Sequence, residues 1–266
     1  MTILPTMTQA HAAPSGTSQA VAAWRAGLSR PSSAHGDPGA QAVLCAGMVP
    51  VRDPAMRAHL RARTRFFDAR VVGALEQGTV QVVVLGAGYD DRALRFRSPG
   101  VHFYEVDHPG TQQDKRLRLE RMGADLSGVT LVPADFRHDD VAAVLQGAGH
   151  RATLPTLVLA EGLFIYLDEE AVVDLLAGVR ARAAAGSALV ASLAVHPEGV
   201  DSALATTRAN AGRPRAQAEP WRTIMSPSAH LELVERSGWR VAEAVDDASL
   251  DDEAVPGRSL LVVAHP

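Results

Sequence analysis

The chain has 266 residues, 47% hydrophobic and 21% charged, so it can bury a sizeable core and is too apolar for wholesale disorder. A net charge of −4 argues against nucleic acid, which demands a strongly basic surface. No run of eighteen apolar residues offers a membrane span, and the single cysteine, Cys45, excludes an internal disulfide and a thiolate metal site, which fits a reducing, cytoplasmic setting.

Residues 1–16 read as a disordered arm; without Lys, Arg or a long apolar block they do not resemble a secretory signal. Residues 17–78 read as an N-terminal helical cap. One helix is predicted from Thr17 to about Leu28. Two more are predicted from Asp37-Pro38 and Asp53-Pro54, each an N-cap followed by proline at the first helical position. The last of these carries Phe67, Val71, Ala74 and Leu75 on one face, and Gly78 ends it. It also carries Arg57, Arg61, Arg63 and Arg65, a solvated run from which one guanidinium can turn inward to a carboxylate.

From residue 79 strands and helices alternate. Val80 to Leu85, Val101 to Val106, Val129 to Pro133, Thr156 to Ala160 and Ala188 to Val195 read as strands. Helices are predicted to open at Pro109, at Asp139 or Asp140, and at Asp168. A lid insertion is expected at about 200–227, then a helix capped by Ser228. Two late strands, Trp239 to Val245 and Ser259 to Ala264, flank an acidic loop read as a solvated connection. The alternation implies a doubly wound α/β sheet, whose ligand sits beyond the carboxyl ends of the strands.

The first strand ends in Gly86-Ala87-Gly88, a loop that lets backbone approach a ligand, or else a plain tight turn. A dinucleotide fingerprint would place a third glycine at Asp91, and an acid there suits a pyrophosphate poorly. Asp107 ends the second strand about 20 residues after the loop, where a carboxylate can accept from two ribose hydroxyls; Glu105, two residues earlier, is the lesser candidate. Asp135 can accept from an adenine amino group and Phe136 can cover the purine face, although Asp135 can equally be a helix-entry acid. Glu161, after a run of apolar residues, needs a partner, either the ammonium of an amino-acid-like ligand or an upstream arginine.

Together these segments resemble the leucine carboxyl methyltransferase family. The resemblance is carried, in order, by Ala62-Arg63-Thr64-Arg65-Phe66-Phe67-Asp68, Val84-Leu85-Gly86-Ala87-Gly88-Tyr89-Asp90, Tyr104-Glu105-Val106-Asp107-His108-Pro109, Ala134-Asp135-Phe136-Arg137 and Leu159-Ala160-Glu161-Gly162-Leu163-Phe164-Ile165-Tyr166-Leu167. It implies a mostly parallel, seven-stranded, Rossmann-like sheet that binds S-adenosylmethionine (SAM). It further implies Arg63 at the methionine carboxylate, Gly86, Ala87 and Gly88 along the methionine part, Asp107 at the ribose, Asp135 and Phe136 at adenine, and Glu161 at the amino-acid end. Asp91 departs from the Ser or Thr of relatives, and the lysine that some relatives carry in the opening helices has Arg25 as its nearest counterpart.

The function so implied is O-methylation, of a carboxylate on a small molecule or peptide, by a monomer or homodimer without metal. A carboxylate is ionised at pH 7 and needs no base, whereas a hydroxyl acceptor does. His196, after the fifth strand, is the candidate base, and Tyr166 a candidate for orienting the acceptor. Rival readings are a nicotinamide-dependent oxidoreductase and a SAM-binding protein without methyl transfer.

Overall fold

The computed structural model describes residues 13–211 and 219–266. Most of the arm expected at 1–16, and residues 212–218 of the expected lid, lie outside the described residues. Three helices open the chain. The Ser15 hydroxyl caps α1 (Gly16–Arg25), and the Asp53 carboxylate caps α3 (Pro54–Glu76), with Pro54 in its first turn. The second helix, α2 (Ala40–Leu44), begins later than Asp37-Pro38 suggested, because the Asp37 carboxylate accepts from Gly39 N in a local turn.

The sheet comprises β1 (Gln81–Leu85), β2 (His102–Asp107), β3 (Val129–Pro133), β4 (Thr156–Ala160), β5 (Ala188–Ala194), β6 (Arg240–Asp246) and β7 (Ser259–His265), in the order β3-β2-β1-β4-β5-β7-β6. The first five are parallel, and β7 runs antiparallel between β5 and β6. The fold is therefore the doubly wound, mostly parallel, seven-stranded sheet that the alternation and the family resemblance implied. Successive residues feed opposite faces. Val83, Leu85, Val158 and Ala160 pack with α6 (Val141–Gly147), α7 (Glu169–Arg180) and α9 (Pro227–Arg236), while Val82, Val84, Leu157 and Leu159 pack against Phe66, Phe67 and Val71 of α3. A one-residue slip of any central strand would exchange these two cores, so the register is firmly set.

Three differences from the sequence reading have local causes. Ser226, not Ser228, caps α9: Pro227 takes the first helical position, and the Ser228 hydroxyl is engaged by the Glu198 carboxylate. A helix, α8 (Ser202–Ala211), forms within the expected lid although none of its residues is buried, so no apolar stripe announced it. The acidic segment before β7 is solvated only in part, with Asp252 and Glu253 exposed. Asp247 and Asp251 are buried against α3, paired with His59 and Arg61.

From β1 the chain winds outward to β2 and β3, then returns to place β4 on the other side of β1. The carboxyl ends of β1 and β4 thus flank the switch point, where a doubly wound sheet opens a crevice. Two short linkers shape it: α4 (Arg92–Arg95) after β1 and a 3-10 turn (Phe164–Tyr166) after β4, with α5 (Pro109–Arg121) following β2. Among the described residues no helix is long and apolar enough to cross a membrane.

Candidate active site

A cavity of about 1170 Å³ occupies this crevice, floored by the ends of β1, β2, β4 and β5 and walled by α1, α3 and the segment around Trp221. Gly86 and Gly88 both take positive φ, 64° and 48°. A Cβ on Gly86 would come within 3.0 Å of Leu163 Cδ1, and one on Gly88 within 2.9 Å of Ser18 Cβ. The loop is thus held between α1 and the β4 exit, and both positions require glycine.

Asp107 is fixed to this loop. Its Oδ2 accepts from Gly88 N at 2.6 Å and its Oδ1 from His108 N at 2.7 Å. Burial raises its pKa, and the two N–H donors oppose that rise. Each oxygen retains a lone pair for a further donor. Glu105 does not line the cavity: it is buried against Lys115, which also donates to the Asp90 carbonyl. Burial lifts the Glu105 pKa to about 6 despite that lysine. Asp135 and half-buried Phe136 line the adjacent end of the cavity. Burial would raise the Asp135 pKa, but the Arg137 N–H and the His138 ring outweigh it and hold the carboxyl low.

Glu161, at the β4 exit, meets three guanidiniums. Its Oε1 accepts from Arg25 Nη2 at 2.9 Å and Arg63 Nε at 3.0 Å, and its Oε2 from Arg92 Nη1 at 2.6 Å. Burial works to raise the Glu161 pKa, yet Arg25, Arg92 and Arg63 hold it well below the usual carboxylate range. Of the two partners that the sequence left open, the structure supplies upstream arginines. Arg63 commits only its Nε to Glu161, leaving its terminal nitrogens beside Gly162. The network extends further. Arg92 bridges Asp68, Asp90 and Glu161; Arg30 bridges Asp68 and Asp91; Arg95 holds Asp91; and Arg25 reaches Asp90. Five guanidiniums share four carboxylates in one connected cluster.

Asp91 is 0% exposed, lies outside the cavity lining and is neutralised by Arg30 and Arg95. It therefore presents no repulsive charge to a ligand and, contrary to expectation, does not bar a pyrophosphate from the loop. His196 lines the cavity, but both of its ring nitrogens are engaged: Nδ1 lies 2.8 Å from the Pro197 carbonyl and Nε2 lies 2.9 Å from Ser202 Oγ. A carbonyl can only accept, so Nδ1 donates and the lone pair on Nε2 is taken by the serine hydroxyl. His196 is thereby unsuited to be the free base that its position suggested. Tyr166 lines the cavity half-buried, and its hydroxyl has no hydrogen-bond partner among the described residues. Trp221 and Ile224 reach the cavity, while Met225 turns to the core.

Sequence reasoning missed Arg30 and Arg92, although two adjacent acids followed by arginine, Asp90-Asp91-Arg92, hinted at an internal pairing. It also missed His59, which precedes Arg63 by four residues on the same helix and lines the cavity too. Arg258 was overlooked as well. It lines the cavity beside the β5 exit, where its carbonyl accepts from Val195 N, and its guanidinium has no partner among the described residues.

Sheet order, glycine loop and strand-end acids define an α/β fold of the Rossmann-like methyltransferase class. Solved structures agree at the level of fold. A provisionally named methyltransferase from Thermobifida fusca superposes with a TM-score of 0.58 at 17% identity, covering 95% of both chains. Magnesium protoporphyrin IX methyltransferase from Synechocystis, solved with S-adenosylhomocysteine, gives 0.53 at 11% identity, covering 81% of this chain and 88% of that one. The sequence profile of the leucine carboxyl methyltransferase family matches residues 20–180, and the chain belongs to that family. A provisionally named S-adenosyl-L-methionine-dependent methyltransferase of Mycolicibacterium paratuberculosis is 37% identical over 227 residues, 76% of this chain and 68% of its own length. One of Streptomyces coelicolor is 41% identical over 167 residues, 57% of this chain and 58% of its own. Against two further actinobacterial relatives the match spans 40% and 46% of their length.

Proposed function

We propose that the chain is a SAM-dependent O-methyltransferase whose acceptor is a carboxylate on a small molecule or peptide. The residues of the crevice fit the donor. The glycine loop leaves backbone bare where a Cβ would collide, and Asp107 and Asp135 keep acceptor capacity beside it. In this reading Asp107 holds the ribose, Asp135 and Phe136 meet adenine, and Gly86, Ala87 and Gly88 lie along the methionine part. Arg63 takes the methionine carboxylate with its terminal nitrogens, while Glu161, engaged by Arg25, Arg63 and Arg92, holds Arg63 in place rather than meeting the ammonium itself. When bound, SAM supplies a methyl group on a sulfonium, so the leaving sulfur is neutral.

The chain's own work is positioning and exclusion of water. Leu163, Ile165, Leu193, Val195 and Ile224 give the cavity an apolar wall. Tyr166, with its hydroxyl unengaged, is available to orient the acceptor. The observation that carries the carboxylate reading is Arg258, an exposed residue of the cavity lining beside the β5 exit whose guanidinium has no partner among the described residues. A guanidinium matches a carboxylate bidentately, and a carboxylate, with pKa near ~4, needs no proton removed at pH 7.

The test is mass spectrometry on a panel of carboxylic acids, hydroxyl compounds and amines incubated with SAM. A 14-dalton gain on carboxylic acids, released as methanol by mild alkali, is expected. A gain on amines alone, or SAM bound with no gain on any acceptor, would overturn the reading.

A further inference from the structure

One turn before Arg63 on α3, His59 meets Asp247 of the 3-10 turn Asp247–Ser249 that follows β6. His59 Nδ1 and Asp247 Oδ2 lie 2.6 Å apart. The side chains are 8% and 0% exposed, and both residues line the cavity. The pair leaves two buried atoms without a hydrogen-bond partner, His59 Nε2 and Asp247 Oδ1. A tie between α3 and the acidic segment already exists nearby. Arg61 grips Asp251 and Glu253 with its Nε and Nη2, at a 24% exposed side chain. A second tie of that kind explains neither an ionisable pair sunk in the cavity wall nor a ring nitrogen that nothing satisfies, since buried polar atoms are costly when unpaired. A carboxylate at Nδ1 holds the ring proton there, which leaves the lone pair of the neutral imidazole on Nε2. That is the tautomer a proton acceptor needs.

We propose that His59 is a catalytic base and Asp247 its positioning residue, giving the site a further activity, methylation of phenol- or enol-type hydroxyls. The inference rests on the SAM reading of the crevice but not on the carboxylate reading. A carboxylate arrives ionised, whereas a phenol, with pKa near ~10, must lose its proton as the new bond forms. The acceptor O–H bond breaks and its proton passes to His59 Nε2. The oxygen forms a bond to the methyl carbon while the carbon–sulfonium bond breaks, and that electron pair stays on sulfur. Asp247 then faces an imidazolium, which it stabilises, and the proton leaves to water once the product departs. His196 cannot take this part, because its lone pair is held by Ser202.

The experiment compares panels of aromatic carboxylic acids and phenols with the full chain and SAM. The wild type is expected to methylate members of both. His59→Gln should lower kcat for phenols at least 100-fold more than kcat for carboxylic acids, with KM for phenols within threefold of wild type. Asp247→Asn should lower phenol kcat tenfold or more in the same selective way, and Asp247→Glu should recover part of it. Parallel loss on both acceptor classes would mark the pair as structural and overturn the proposal. So would carboxylate methylation with no phenol methylated by the wild type. No transfer to either class would bring down the proposed function as well, which separates the two failures. Should His59→Gln not fold, nitrogen-15 spectra of the wild-type histidines decide independently: the neutral ring of His59 should carry its proton on Nδ1, and a proton on Nε2 would refute the assignment.

Discussion

Asp107 is oriented by its own backbone surroundings. Gly88 N and His108 N hold one oxygen each, so in the proposed role the carboxylate needs no reorganisation to receive two hydroxyls. Asp107→Ala removes the proposed ribose acceptor together with the tether of the loop. It should weaken SAM binding tenfold or more, about 1.4 kcal/mol, by isothermal titration; unchanged affinity would discard the ribose role. Arg258 is the complementary case, a cation with no partner among the described residues. Arg258→Ala should raise KM for carboxylate acceptors about tenfold, roughly 1.4 kcal/mol, and leave the Kd for SAM within twofold. A matched loss in SAM affinity would move Arg258 to the donor half of the cavity.

Among elements, three capped by aspartate were readable from sequence. Asp53, Asp140 and Asp168 cap α3, α6 and α7, as their positions before a periodic run implied. The central strands were readable because both faces are buried and the runs are short and apolar. What failed was anything decided across the sheet. α8 has no fully buried residue, and the acidic segment is fastened by partners about 190 residues earlier in the chain. The amino end of β4 offers a test of its own. His150, between α6 and β4, is buried, and both ring nitrogens are engaged, by Thr156 Oγ1 at 2.9 Å and by Arg182 Nε, which donates at 3.3 Å. Burial and then the Arg182 charge lower its pKa from 6.5 to about 4. The unfolded histidine therefore binds a proton that the folded one refuses. This part of the stability is whole above pH 6.5, is lost as pH falls towards 4, and changes no further below that. Urea denaturation across that range should show the slope in the wild type and a flatter profile in His150→Asn; equal slopes would exclude His150 as the cause.

Across the whole molecule, the site is legible in outline and illegible in wiring. Gly86, Gly88, Asp107, Asp135 and Glu161 stand out because topology delivers strand ends to one crevice. Their partners do not, because the contacts join residues far apart in sequence, such as Arg25 with Glu161 and Arg63 with Glu161. The charge cluster carries a stability prediction. Arg92 is 0% exposed and serves Asp68, Asp90 and Glu161. Arg92→Ala would strand those carboxylates in the interior, at a cost of about 3–5 kcal/mol. Denaturant melts should show a shift of that order, and a change under 1 kcal/mol would mean that the remaining arginines close the gap.

The same cluster limits how this architecture can be recombined. Its members pair the opening segment with the β1–α4 connection, as in Arg25 with Asp90, Arg30 with Asp91 and Asp68 with Arg92. A chimera that grafted the first 78 residues of one relative onto the remainder of another would split these couples. Unless both parents encode matching signs at each position, the hybrid inherits bare charge in its interior, so a crossover at that junction is viable only between parents whose couples match.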